Sequence, residues 1–129
     1  MIRRLLLLLA LAASFALAQT RVYELRTYTC FEGKLEALKA RFRDHTISIF
    51  KRHGIESVAY WVPQDPEKSK NTLVYMVSHP SMEAAQKNWE AFRADPEWRK
   101  VSAESEAGGK IVQHVDSLYL NPTDFSPLK

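Results

Sequence analysis

Between residues 20 and 120 the apolar positions follow two periods in turn, and the order of those periods predicts the elements. Arg21 to Thr29 is rich in Val, Tyr and Thr and reads as a strand. Glu32-Gly33 breaks it. A helix is predicted from about Lys34 to His53, because Leu35, Leu38, Phe42 and Ile49 are spaced three, four and seven apart. His45 falls on that stripe. Gly54, directly after Lys51-Arg52-His53, supplies a C-terminal stop with cations at the negative end of the helix dipole.

Ile55 to Val62 is predicted as the second strand, closed by Pro63 and the polar run Gln64-Asp65-Pro66-Glu67, and Thr72 to Ser78 as the third. The polar stretch between them suits a hairpin with a long tip. A second helix opens at Pro80-Ser81 with Ser81 as N-cap, and its inward stripe is Met82, Ala85, Trp89 and Phe92. Asp95-Pro96-Glu97 restarts the helix with Asp as N-cap and Pro at the first helical position, and Gly108-Gly109 stops it. The last strand is expected from about Lys110 to Leu120, before an irregular tail at Asn121-Pro122. The order βαββαβ is that of an α+β, ferredoxin-like fold with an antiparallel sheet.

Alternation within the strands adds a partner. Val58, Tyr60 and Val62 fall on one face of the second strand, with Ile55, Ala59 and Trp61 on the other. Val74 and Met76 similarly oppose Leu73, Tyr75 and Val77. Helices can cover only one face, so a second copy of the sheet is expected on the other, making a dimeric α/β barrel.

The N-terminus changes the accounting. Arg3 and Arg4 precede an apolar run from Leu5 to Ala18 that ends in Ala16-Leu17-Ala18. This is the pattern of a cleavable secretory signal at residues 1–18, and the run is shorter than the roughly 20 residues needed to span a bilayer. Residues 19–129 then form the domain, expected in the periplasm or outside the cell with no stable membrane insertion after cleavage. Without Arg3 and Arg4 the 18 basic residues become 16 against 15 acidic ones, and no basic cluster suited to nucleic acid remains. Cys30 is the single cysteine, so no internal disulfide can form.

Three segments carry a family resemblance. They are Val22-Tyr23-Glu24-Leu25-Arg26-Thr27-Tyr28, His53-Gly54 with Tyr60-Trp61 beyond it, and Trp89-Glu90-Ala91-Phe92-Arg93-Ala94-Asp95-Pro96-Glu97-Trp98. Together they resemble NIPSNAP domains over nearly the whole of residues 19–129. The resemblance implies the dimeric α/β-barrel superfamily, which also holds small monooxygenases and haem-degrading proteins. It leaves the biochemistry undefined.

Glu24, Arg26 and Tyr28 stand at i, i+2 and i+4 and share one strand face. Two readings stay open: a Glu24–Arg26 ion pair that holds the barrel or dimer, or an Arg26 fork that receives an anionic ligand such as a carboxylate. His45 is either a hydrogen-bonded core residue or a proton carrier or haem ligand facing the pocket. Tyr60, Trp61 and Tyr75 belong to a large aromatic load that is mostly core, part of which is a candidate lining for a small molecule. The histidines lack the paired spacing of a metal site, and no nucleophile triad or phosphate loop stands out, so neither a metal, a cofactor nor a catalytic residue is named. The expectation is a dimeric, exported small-molecule binding protein. The alternatives are a cofactor-independent monooxygenase-like or haem-related enzyme, and a structural or protein-interaction module.

Overall fold

Four strands pair in the order β2-β3-β1-β4, every neighbour antiparallel, in a computed structural model that describes residues 21–129. They are β1 (Val22–Cys30), β2 (Glu56–Trp61), β3 (Thr72–His79) and β4 (Val112–Leu120). This is the expected ferredoxin-like sheet, with strand ends within a residue or two of those read from the sequence. The leader expected at residues 1–18 lies outside the described residues. Among the described residues no helix is long and apolar enough to cross a membrane.

The helical residues 35–52 run without a break but not with one period. They comprise α1 (Leu35–Arg41), a π-helical turn (Phe42–Thr46) and α2 (Ile47–Arg52). At the turn the Ile47 N–H reaches back to the Phe42 carbonyl, and the Thr46 hydroxyl donates to the Arg41 carbonyl at 3.2 Å. A π-turn takes up more residues than an α-turn. The residue that follows Phe42 inward is therefore Thr46, 2 % exposed, and Ile49 and Phe50 come after it. His45 is turned out to solvent, which corrects its expected place on the buried stripe.

Helix α3 (Met82–Ala94) starts at Ser81, whose hydroxyl accepts from the Ala84 N–H at 3.0 Å. Asp95 caps α4 (Pro96–Ser105) through the Glu97 N–H at 2.8 Å. Asp95 also ties α4 to the end of α2, accepting from Arg52 at 2.9 Å and lying 2.7 Å from His53 Nε2. Of the stripe read for α3, Ala85, Trp89 and Phe92 are buried, whereas Met82 lies in the first turn and is exposed.

A β-bulge between Ser57 and Ala59 breaks the strict alternation expected in β2. Val58 is the extra residue, so parity reverses across it. Ile55 and Tyr60 consequently share the helix-covered side, Ile55 buried and Tyr60 stacked on Tyr75 at 5.3 Å. Trp61 projects from the opposite face, 49 % exposed, as does Leu118, 57 % exposed, on the other edge strand, β4. The core between sheet and helices is built from Leu38, Phe42, Ile49, Phe50, Tyr75 and Val77 with Phe92 above them.

Gly54 closes α2 at φ +71°, and an added Cβ would sit 2.9 Å from Asn88 Nδ2. Gly54→Ala is expected to cost about 1–2 kcal/mol in urea unfolding, from left-handed strain plus displacement of Asn88. A change within error would show that the turn adapts freely.

Candidate functional site

Register brings the site together. In β1, Glu24 pairs with Val77 and Tyr119, and Arg26 with Tyr75 and Ser117. Tyr28 lies between Leu73 and Val115. The helix layer leaves the same side of β4 uncovered, so Val115 and Tyr119 are about 40 % exposed while Glu24 beside them is fully buried. A trough of about 370 Å3 results, open to solvent. Its floor is Glu24, Arg26, Ser117 and Tyr119, and Gln86, Trp89, Glu90 and Arg93 of α3 form the wall. That volume falls within the few hundred Å3 or more, roughly 300–1,000 Å3, common for small-molecule sites.

Glu24 is the hub. Its Oε1 accepts from His79 Nε2 at 2.8 Å and Trp89 Nε1 at 2.7 Å. Its Oε2 accepts from Arg26 Nη1 at 2.6 Å and the Ser117 hydroxyl at 2.7 Å. Four donors use all the acceptor capacity of an ionised carboxylate. Burial works against the charge, but hydrogen bonds from His79, Ser117, Arg26 and Trp89 outweigh it and bring the carboxyl down to about 2. Glu24 is therefore a fixed anion and a poor proton acceptor. Because the carboxylate can only accept, His79 Nε2 carries the hydrogen; His79 Nδ1 is buried without a partner among the described residues.

Arg26 is held on three sides. Nε donates to the Tyr75 hydroxyl at 2.9 Å and Nη2 to the Tyr28 hydroxyl at 3.2 Å. Tyr75 in turn donates to Tyr28 at 2.9 Å. The guanidinium carbon lies 4.4 Å from the centre of the Trp89 ring, a cation–π contact. Burial pushes the Tyr75 hydroxyl well above its usual range, which keeps it a neutral donor. The side chain of Arg26 is 16 % exposed.

Of the residues singled out in the sequence, Glu24, Arg26, Tyr28 and Tyr75 converge, and Tyr60 joins them by packing on Tyr75 and Phe42. Trp61 lies on the other sheet face. His45 is exposed and borders a separate outer cleft between α1 and α4, away from the trough and the core. The sequence reading missed His79, Trp89 and Ser117 as site residues. His79 continues the parity of Leu73, Tyr75 and Val77, and Trp89 stands on the inward stripe with an indole N–H to satisfy; both signals were present. Nothing local marks Ser117, which register alone brings to Glu24. Among the described residues no cluster of three or more His, Cys, Asp or Glu is placed to hold a metal ion.

A larger cleft of about 580 Å3 lies elsewhere, beside Ile47, Ile55 and Pro80. Its charged pair, Arg21–Glu56 at 3.0 Å, is solvent-exposed on the Glu56 side, and Arg21 also donates to the Ser78 hydroxyl at 2.9 Å. The smaller trough is the one that borders the Glu24–Arg26 network.

Comparison with known proteins agrees with this architecture. The chain is similar to a NIPSNAP family protein of unknown function from Agrobacterium tumefaciens, 24% identical, covering 86% of this chain and 96% of that one at a TM-score of 0.73. An uncharacterized NIPSNAP-like domain protein from Burkholderia xenovorans is 17% identical, with 85% and 91% covered and a TM-score of 0.71. SnoaB, a cofactor-independent oxygenase from Streptomyces nogalater, shares the fold at 14% identity and a TM-score of 0.54, with 84% and 98% covered. No curated protein matches the sequence. The NIPSNAP family model matches residues 23–127, so the chain belongs to the NIPSNAP family.

Proposed function

We propose that this NIPSNAP protein is an exported homodimer that binds a small organic molecule in the trough above Arg26. The observation that carries the reading is a mostly buried guanidinium, fixed by Glu24, Tyr75 and Tyr28, that still borders an open cavity. A purely structural ion pair needs no cavity beside it. The dimer is supported by the apolar side chains on the uncovered sheet face, Trp61 and Leu118 foremost. Export is supported by the leader pattern of residues 1–18.

The test uses residues 19–129, a fragment library and thermal unfolding, with Gln86→Trp as the blocking variant. Gln86 is an exposed helix residue on the trough wall, so its replacement is expected to change stability by about 0.5 kcal/mol or less. Fragments that raise the wild-type melting temperature should lose that effect in Gln86→Trp. Native mass spectrometry should show twice the chain mass. Fragments that stabilise both proteins equally, or none at all, would leave the network as a structural clamp.

An oxygenase reading draws on the fold shared with SnoaB. Glu24, with four donors on it, is unsuited to take a proton from a substrate. Binding therefore ranks ahead of catalysis.

A further inference from the structure

A guanidinium has five N–H donors. In Arg26 one is committed to Tyr75, one of the two on Nη1 to Glu24, and one of the two on Nη2 to Tyr28. One N–H on each terminal nitrogen is left over, on a residue that borders the trough. The Tyr28 hydroxyl accepts from both Arg26 and Tyr75, so its own hydrogen has no acceptor among the described residues. The site is therefore rich in donors, while the acceptor capacity of Glu24 is used up.

Charge decides what those donors select. The positive charge of Arg26 is already neutralised by Glu24 at 2.6 Å, and Glu24 is fully buried. On the wall the exposed Glu90 and Arg93 carry one charge of each sign. A carboxylate or phosphate would thus add a net negative charge beside a buried carboxylate, with no free cation at the floor among the described residues to match it. Burying an unmatched charge is costly. A neutral oxygen with exposed lone pairs receives the same N–H groups without that penalty, and Tyr119 and Trp89 suit an aromatic body beside it.

We infer that the ligand of this trough is an uncharged carbonyl compound whose oxygen accepts hydrogen bonds from Arg26, and that simple carboxylates and phosphates are disfavoured. The inference rests on the trough being a small-molecule site, and it departs from the anionic ligand that was one of the two readings of Arg26 left open by the sequence. An anionic ligand needs a free fork, whereas in the fold Arg26 is half of a closed pair.

Acetophenone, benzoate and ethylbenzene give a matched series: a neutral carbonyl, an anion and an apolar control of similar size. Dissociation constants are measured by NMR titration at pH 7, with carbonyl-labelled acetophenone, on wild type and Gln86→Trp. Acetophenone is expected to bind about tenfold or more tighter than either of the others. Its carbonyl carbon should shift downfield on binding, and its affinity should change little with salt. Benzoate binding more tightly, or ethylbenzene equally well, would overturn the carbonyl assignment while leaving the trough as a binding site. If none of the three binds in a Gln86-sensitive way, both the assignment and the site fall.

Discussion

Replacing Glu24 with glutamine is expected to destabilise the protein by about 3–5 kcal/mol, the range for removing one partner of a buried ion pair. Glutamine keeps the shape and discards the charge. Arg26, 16 % exposed, would lose its counter-ion. The loss extends beyond the pair, because all four partners of Glu24 are donors and the amide NH2 is a donor too. At least one donor from His79, Trp89, Arg26 or Ser117 would then face another donor in a buried position. The matched control is Glu36→Gln, which removes the exposed Glu36–Lys39 pair at 2.9 Å. Surface pairs of that kind contribute about 0–1 kcal/mol. Urea unfolding of both variants separates the cases: a Glu24→Gln cost no larger than the control would mean that the network relaxes around the amide.

Stability is also expected to fall steeply in acid. The Glu24 carboxyl is depressed from an ordinary 4.5 to about 2 in the fold. The unfolded chain then binds this proton more readily than the native state. The contribution is fully present above about 4.5 and is lost as pH falls toward 2. That interval corresponds to about 3 kcal/mol, a large share of the roughly 5–15 kcal/mol that holds small domains together. Unfolding free energies at pH 6, 4, 3 and 2 should therefore drop in the wild type and change less in Glu24→Gln. Parallel curves for the two proteins would show that Glu24 titrates normally in the native state.

The sequence made the fold legible because its punctuation is local. Gly54, Ser81 and the Asp95-Pro96 pair each stop or start a helix by their own chemistry, and each does so in the structure. Two features were hidden because they are departures from a period. The π-turn at Phe42–Thr46 carries no residue signature, yet it moves His45 from the inward stripe to the surface. The bulge at Val58 likewise puts Ile55 and Tyr60 on one side of β2, against simple alternation. Half of the site could be read from β1, since Glu24, Arg26 and Tyr28 share a face by parity alone. Its other half depends on registers between residues far apart in the chain, such as Ser117 with Glu24 or Trp89 above it. Pairing of this kind also gives Arg26 its surroundings. The ion pair with Glu24 exists within β1, and the Trp89 indole N–H on the same carboxylate joins it to α3.

The central claim is that the trough over Arg26 receives a ligand. The chain has three tryptophans, and only Trp89 touches this network, its indole N–H on Glu24 and its ring beneath Arg26. Trp61 lies on the opposite sheet face, and Trp98 packs on Phe92 and Arg41. The three indole N–H signals of 15N-labelled protein can therefore be followed together while acetophenone or benzoate is added. A saturable shift of the Trp89 signal, with those of Trp61 and Trp98 unmoved, is the predicted result. A Trp89 signal that stays fixed with both compounds, or moves only in step with the other two, would contradict the claim.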